Sequence, residues 1–343
     1  MKKLRVLVLM HPDLIPPASL HGHADSEIVK WKTEYDVVNA LREMGHAVHP
    51  LGVQYDLGDI RAAIAEINPD ITFNLLEEFH GNTLFDYHVV SYLELMKQRY
   101  TGCNPRGLLL AHDKALAKQI FTFHRIATPR FAVFPMHRRI RIPAGLHFPL
   151  IIKSLFEEGS YGLAQASVVD TAERAYERIE YLHEQLGTPA LAEEYIAGRE
   201  FYVGVLGNQR VHVLPVLELE FGSIDEPAAR IATARLKWDW KYQERHGIDI
   251  VRPRGVSAEL LQRISKLARR IYRVLSLSGY ARMDLRMRED GRMFVLEANA
   301  NPDIGYGEEM ATAAQAVGID YQSLLQKVIN LGLRYEPESR ATA

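Results

Sequence analysis

The feature that most restricts this chain is a pair of strand-like segments around an Asp-Gly dipeptide. Tyr280-Ala281-Arg282-Met283-Asp284-Leu285-Arg286 precedes Asp290-Gly291, and Met293-Phe294-Val295-Leu296-Glu297-Ala298-Asn299 follows it. Asp-Gly is a favoured two-residue hairpin turn, because both central positions need positive φ. Taken as the turn, it sets Asp284 opposite Glu297 and Arg282 opposite Asn299. Side chains alternate along a strand, so these four share one face. Ala281, Met283, Leu285, Leu296 and Ala298 then form an apolar opposite face. Two carboxylates directly opposite each other on a sheet repel. The placement makes sense if a hard cation lies between them. Mg²⁺ takes oxygen ligands, commonly one or two carboxylates plus substrate phosphates, and the Asn299 amide oxygen is a third donor. The plainer alternative is an exposed hairpin face whose acids are neutralised by Arg282 and Arg286.

The rest of the chain reads as two or three units in 343 residues. Residues 4–10, 47–51 and 71–75 read as strands, and 27–44 and 60–67 as helices. That alternation predicts a small parallel α/β sheet, Rossmann-like in layering. No GxGxxG follows any of these strands, so no dinucleotide site is expected. Residues 108–124 read as one helix containing Asp113-Lys114. Prolines 129, 135, 143 and 149 then punctuate short extended pieces, 150–153 and 166–169 read as strands, and 172–186 as a helix. In the last block, 201–206 and 211–217 read as strands around Gly207-Asn208. The stretch 222–255 is long and irregular, as functional or mobile loops are. Residues 260–275 form an amphipathic helix whose Arg269, Arg270 and Arg273 read as a solvated face.

Charge and cysteine content exclude several classes. Lys plus Arg (41) nearly balance Asp plus Glu (43), so no strong field favours nucleic acid or an anionic membrane. Cys103 stands alone, which rules out an intrachain disulfide and fits a reducing cytoplasm; nothing beside it suggests a nucleophilic thiol. The apolar run after Lys2-Lys3 is short and ends in His11-Pro12-Asp13 without a small-residue cleavage site, so it reads as a buried strand rather than a signal peptide. No window approaches a membrane span. Glu77, Glu78, His80 and His88 cluster but fit no zinc spacing.

Three further groups carry possible chemistry. Lys153 ends the apolar run Leu150-Ile151-Ile152, where it could point at a phosphate or simply at water. Glu158-Gly159-Ser160-Tyr161-Gly162 follows and could offer backbone N–H groups to phosphate oxygens. Glu193, Glu194 and Glu200 flank Tyr195-Ile196-Ala197-Gly198; such carboxylates could meet an adenine amine and ribose hydroxyls, or merely solvate a turn.

Taken in order, these features resemble the ATP-grasp superfamily, in particular D-alanine–D-alanine ligases and their relatives. The likeness runs from about residue 71 to 333 and is most specific at Gly279-Tyr280-Ala281-Arg282-Met283-Asp284 and Leu296-Glu297-Ala298-Asn299-Ala300-Asn301-Pro302. It implies an α/β fold, with α+β parts, of three domains: an N-terminal unit (1–108), a central ATP-grasp unit (109–190) and a C-terminal one (191–336) with 222–255 as lid. ATP would lie between the last two. By the same resemblance Lys114 and Lys153 would meet ATP phosphates, with Glu158, Gly159 and Ser160 closing over them. Glu193, Tyr195 and Ile196 would hold the base and Glu200 the ribose. Asp284, Glu297 and Asn299 would bind two Mg²⁺ ions, which Mn²⁺ could replace. Arg282 would steady the reacting carboxylate, and Lys241 would contact phosphate from the lid. The implied reaction is ATP-dependent joining of a carboxylate to an amine through an acyl phosphate, by a cytoplasmic homodimer with small-molecule substrates and no nucleic-acid or membrane partner.

The chain departs from the family pattern on the substrate side. D-alanine ligases carry a Glu-Val-Ser-type motif near the N-terminus; here the region reads His23-Ala24-Asp25-Ser26-Glu27-Ile28, with Glu27 a displaced counterpart. Where the family has Ser-Pro-Gly and then a serine that receives the second amino acid, this chain has Asn301-Pro302-Asp303-Ile304-Gly305-Tyr306-Gly307-Glu308-Glu309. Asp303 and Glu308 are therefore expected near an acceptor other than D-alanine, one carrying positive charge being the candidate; alternatively Glu308 and Glu309 simply begin a helix. A D-alanine–D-alanine ligase with a diverged motif, and a nucleotide-binding regulator without turnover, are the competing readings.

Overall fold

The computed structural model describes residues 2–156, 162–224, 230–233, 236 and 239–337. Three sheets organise it. Strands β1 (Arg5–Met10), β2 (Ala47–Gly52) and β3 (Ile71–Asn74) form a parallel sheet in the order β2-β1-β3. Helices α1 (Asp25–Glu43) and α2 (Leu57–Ile67) make its crossovers. β1 is buried along nearly its whole length, as a strand covered on both faces must be. Helices α3 (Asp86–Leu95), α4 (Pro105–His112) and α5 (Lys114–Phe123) follow.

The second sheet is antiparallel, in the order β4 (Phe131–Phe134), β7 (Ala190–Glu194), β5 (Leu150–Ser154), β6 (Val168–Val169). Helix α6 (Ala172–Gln185) packs on it, and the two enclose a core of their own from Phe134 to Ala192. The third sheet runs β11 (Asp249–Val251), β10 (Leu217–Glu220), β8 (Arg199–Gly207), β12 (Tyr280–Met287), β13 (Met293–Ala300), with β9 (Val211–Val213) also on β8. Helices α7 (Trp240–His246), α8 (Ala258–Val274), α9 (Glu309–Gln315) and α10 (Tyr321–Arg334) complete the chain. The first and third sheets share two cores, one joining Leu7 and Leu9 to Val203 and Met283, the other joining Val6 and Phe73 to Tyr202 and Tyr280. No helix among the described residues is long and apolar enough to cross a membrane.

The hairpin register comes out as expected at the charged residues, but by a different route. Asp284 pairs with Glu297 and Arg282 with Asn299. The loop, however, is not the two-residue Asp290-Gly291. Arg288 N donates to Arg292 O at 3.0 Å and Gly291 N to Arg288 O at 2.9 Å, leaving a three-residue loop of Glu289, Asp290 and Gly291. Gly291 takes the left-handed position (φ 77°) that such loops require. The shift this would impose is undone by a bulge between Asp284 and Leu285, opposite the extra residue Leu296. Val295, not Leu296, therefore joins the apolar core with Met283 and Leu285.

Other expectations are corrected by local chemistry. The helix read over 108–124 is two helices, because the Asp113 carboxylate accepts from Leu116 N at 2.9 Å and starts α5 as its cap. The strand read over 211–217 is broken into β9 and β10 around Pro215, which has no N–H to give the ladder. The stretch 222–255 is not irregular throughout: α7 lies in it, and β11 pairs with β10 through Leu219 and Ile250.

Gly279 joins the first and third units. It has φ 68°, and a Cβ there would come within 2.2 Å of the Gly102 carbonyl oxygen. Gly279→Ala should cost at least ~2 kcal/mol; urea unfolding followed by circular dichroism measures it, and wild-type stability would contradict this packing.

Candidate active site

The centre of the third sheet collects the charged residues singled out above. Strand β12 lies between β8 and β13, so its residues have neighbours on both sides. Asp284 stands opposite Tyr202 and Glu297, Arg282 opposite Gly204 and Asn299, and Arg286 opposite Glu200. One face therefore carries three carboxylates and two guanidinium groups. Asp284, Glu200, Arg282 and Arg286 are all buried, which a protein tolerates only when charges are paired and hydrogen-bonded.

The pairing is specific. Arg282 grips Asp284 with both ends, Nε to Oδ1 at 2.8 Å and Nη2 to Oδ2 at 3.0 Å. Its Nη1 donates to Glu309 Oε2 at 3.0 Å, and its guanidinium lies 5.0 Å from the Tyr202 ring centre. Asn299 Nδ2 donates to Asp284 Oδ2 at 3.0 Å. Arg286 donates to Glu200 Oε2 at 2.9 Å and to the Ile196 carbonyl at 2.8 Å. Tyr202 donates to the other Glu200 oxygen at 3.1 Å. Burial works against the Arg282 charge, but Asp284 and Glu309 outweigh it and hold the guanidinium protonated.

A second charged group faces β13 from the middle sheet. Lys153 Nζ lies 3.3 Å from Glu193 Oε2 and 3.7 Å from Glu297 Oε2. Burial opposes its charge; the two carboxylates win and push its pKa up. Glu193 is likewise desolvated, yet Lys118 and Lys153 hold it below the ordinary carboxylate range. Lys118 Nζ approaches Glu193 Oε1 at 2.6 Å, though that oxygen has no aligned hydrogen-bond donor. Lys118 also donates to Thr128 Oγ1 at 2.9 Å and to the Leu296 carbonyl at 3.0 Å, the residue of the bulge. Thr128 Oγ1 donates to Val295 O at 2.8 Å and Val295 N to Ala127 O at 2.9 Å. The open edge of β13 is thus covered by the segment leading into β4, a usual protection for an edge strand.

The sequence-derived residues fall into three groups. Asp284, Glu297, Asn299, Arg282, Lys153, Glu193 and Glu200 are brought together, with Ile196 and Tyr195 beside Arg286. Glu158, Gly159 and Ser160 lie outside the described residues. Glu27 and Lys241 are placed elsewhere. Glu27 sits in the first turn of α1, where its carboxylate accepts from Ala24 N at 3.2 Å. Lys241 is exposed on α7 over the Trp240 ring, 5.5 Å from its centre. Lys114 is buried at the start of α5, and Lys118 one turn later makes the contact with Glu193. Cys103 is buried and its thiol pushed up to about 12, mainly by desolvation, so it is no nucleophile.

Sequence reading missed Lys118, Lys32 and Thr33, and did not pair Glu309 with Arg282. Lys118 had a signal: it recurs with Ala111, Ala115 and Phe121 on the buried face of its helices. Lys32 and Thr33, not Glu27, are the α1 residues that reach the loop after β13. Thr33 Oγ1 donates to Asp303 Oδ1 at 2.8 Å, and Lys32 Nζ lies 3.1 Å from Glu308 and 3.6 Å from Asp36. Asp303 also accepts from Gly305 N at 2.8 Å, and Glu308 is the N-cap residue of α9. Among the described residues no three or more His, Cys, Asp or Glu side chains could hold a metal by themselves, so an ion here would draw on other oxygens as well.

This architecture and set of residues have close parallels. A family model described as D-ala D-ala ligase C-terminus matches residues 121–330. The chain belongs to the D-Ala-D-Ala ligase family. Its fold is the three-domain ATP-grasp fold, and its members are ATP-dependent, ADP-forming ligases. It is 31% identical over 330 residues to the D-alanine–D-alanine ligase of Cupriavidus taiwanensis, covering 93% of this chain and 94% of that one. It is also 31% identical over 309 residues to an uncharacterized protein, y4sG, of Sinorhizobium fredii, covering 87% and 86%. Among solved structures, the D-alanine–D-alanine ligase of Bacillus anthracis complexed with ATP superposes with TM-score 0.74 at 21% identity, over 96% of this chain and 98% of that one. The VanG D-Ala:D-Ser ligase of Enterococcus faecalis gives 0.70 at 20%, over 96% and 100%.

Two outcomes test the electrostatics of the site. Lys118→Met removes one partner of a buried pair and should cost about 3–5 kcal/mol in urea unfolding; a neutral effect would deny the pairing. Glu34, buried on α1, has its carboxyl pushed up to about 7, first by desolvation and then by Asp303 and Asp36. An acid raised on folding binds its proton more tightly in the folded state. Its contribution is complete below the unfolded value and is lost as pH rises through about 7. Glu34→Gln should therefore stabilise the protein at alkaline pH, and the gain should vanish below the ordinary carboxylate range. A gain independent of pH would contradict this placement.

Proposed function

We propose that this enzyme joins a carboxylate to an amine with ATP and Mg²⁺, through an acyl phosphate, and that its main acceptor is not D-alanine. The observation that carries the chemistry is the facing pair Asp284 and Glu297, with Asn299 on the same sheet face and Lys153 within 3.7 Å of Glu297. Two carboxylates and an amide oxygen form a hard donor set suited to Mg²⁺ bound together with phosphate oxygens. Asp284, Glu297 and Asn299 would hold the ion, which when bound neutralises phosphate charge. The substrate carboxylate would attack the γ-phosphorus and ADP would leave; the amine would then attack the acyl carbon and phosphate would leave.

The chain's own residues would position these groups. Lys153 offers a charged ammonium to phosphate oxygens. By resemblance Glu193 would meet the amino group of an adenine, with Tyr195 and Ile196 beside the base. Glu200 would meet the ribose after partial release from Arg286. Arg282 would steady the reacting carboxylate. The proposed role of Lys114 at the phosphates is shared with Lys118, and Lys241 with Ser160 would act from the lid segments. The division at 1–108, 109–190 and 191–336 belongs to this reading and is supported by the separate core of the middle sheet. By resemblance the working unit would be a cytoplasmic homodimer.

The acceptor side supports a substrate other than D-alanine. A second D-alanine brings a carboxylate, which needs donors. Here Asp303, Glu308 and Asp36 gather around a single ammonium, Lys32, whose charge they hold above its usual range against desolvation. A cationic amine, such as a diamino acid, fits that surplus of negative charge. The second reading, a D-alanine–D-alanine ligase, is favoured by the Cupriavidus relative.

An ADP-release assay decides. Glu297→Gln should abolish ADP formation while circular dichroism remains unchanged; unaltered turnover would remove the metal assignment. With the wild-type enzyme, lysine or ornithine in the amino-acid panel should exceed D-alanine. Efficient turnover with D-alanine alone, near the ~10⁴ M⁻¹s⁻¹ low end of ordinary kcat/KM values, would establish the second reading.

A further inference from the structure

The residues 114–156 hold eight of the chain's 41 Lys and Arg and none of its 43 Asp and Glu. The three lysines are buried or partly buried toward the site described above. The five arginines, Arg125, Arg130, Arg138, Arg139 and Arg141, are all exposed. Some arginines elsewhere find carboxylates: Arg174 with Asp170, Arg199 with Glu218, Arg288 with Asp290. Among the described residues none of these five makes an ion pair, and only Arg130 makes a side-chain hydrogen bond, a long one to the Gly145 carbonyl at 3.4 Å.

These arginines rim two neighbouring hollows that share Pro143. One, of about 680 Å³, has Arg125 and Arg130 over Ile126, Phe131 and Leu146. The other, of about 330 Å³, has Arg138, Arg139 and Arg141 over Val133 and Ile140. The strip continues on the far side. Arg270 of α8 donates to the His124 carbonyl, next to Arg125. Beside it a third hollow, of about 320 Å³, has Arg263, Lys266 and Arg270 over Ile264, Leu267 and Met293. Phe123, 82% exposed, lies in sequence between Thr122 and Arg125, which line the first hollow. The strip ends at α6, where Tyr176 donates to the Ile140 carbonyl and the helix brings Glu173, Glu177 and Glu180.

We propose that this strip is a docking surface for an acidic protein segment with interspersed apolar side chains. The charge complement follows from unpaired cations on a chain whose net charge is −2; such a field steers and orients an oppositely charged partner. Arginine rather than lysine dominates, and its planar fork matches carboxylates in pairs. The hollows decide between anionic partners. Their floors are largely aliphatic and recessed, which suits inserted Leu or Ile side chains. A nucleic acid would call for a series of exposed aromatic faces along a continuous phosphate track, and a bilayer for several protruding apolar groups, whereas the strip projects Phe123 beside apolar hollows. A second copy of the chain related by a twofold axis would set arginine against arginine.

The test uses the full chain and a fluorescent peptide of alternating glutamate and leucine. Its anisotropy is compared with that of a poly-glutamate peptide, a single-stranded oligonucleotide of equal charge, and sedimentation of vesicles rich in phosphatidylserine. The Glu-Leu peptide should bind most tightly, weakening with added salt. The variant R125Q/R138Q/R139Q/R141Q should lose at least about tenfold in affinity, with ADP formation unchanged. R263Q/K266Q, on the separate helix, should weaken binding to a smaller degree. Equal peptide affinity in wild type and both variants overturns the proposal, as does tighter binding of the oligonucleotide or the vesicles.

Discussion

Arg282 holds Asp284 by two hydrogen bonds in a place from which water is excluded, and the rest of the site depends on that contact. A lone Asp284 facing Glu297 would push the strands β12 and β13 apart. The guanidinium cancels one of the two charges and reaches on to Glu309, so it ties the sheet face to the start of α9. Arg286 does the same for Glu200 two residues further along β12. Glu297 is left to Lys153, which comes from another sheet. The pairs therefore fix the approach of the middle unit to the last one. Pairs of this kind add little net stability, because desolvation consumes most of the attraction. What they supply is geometry: each charge is held by specific partners in a fixed direction. The Lys153–Glu297 contact is the longest and least buried of these pairs. On the proposed reading, it is the one an incoming phosphate would exchange with least disturbance.

Much of this was legible in the sequence because period-two alternation and a turn signal are local properties. The parallel N-terminal sheet followed from apolar runs separated by helical spacing. The Asp284–Glu297 pairing followed from the hairpin, and the proposed roles of Glu193 and Glu200 rest on their order along the chain. What was not legible involved competition between local and distant partners. Asp113 could have been an ordinary helical residue; only its bond to Leu116 N shows that it caps. Lys118 lies on the buried face of its helix, but nothing local names its partner Glu193, which is far away in sequence. Glu27 had the right residue type near the right place, yet its carboxylate is spent on the first turn of α1. Lys32 and Thr33 do the reaching instead, which no local pattern announces. The stretch 222–255 showed no periodicity because the regular parts among its described residues, α7 and β11, are short and take their order from neighbours.

The hairpin's correct register had two wrong steps behind it that cancelled. The loop is one residue longer than the dipeptide suggested, and Leu296 supplies one extra residue on the returning strand. The pair behaves like two frameshifts of opposite sign in a reading frame: between them the pairing is displaced, and beyond them it is restored. Losing either alone would slide Glu297 and Asn299 to the wrong face, as any one-residue slip does, whereas losing both together would leave these residues in place. A relative with a tighter hairpin and a straight second strand could thus present the same four side chains, while a simple residue-by-residue alignment would misplace every position in between.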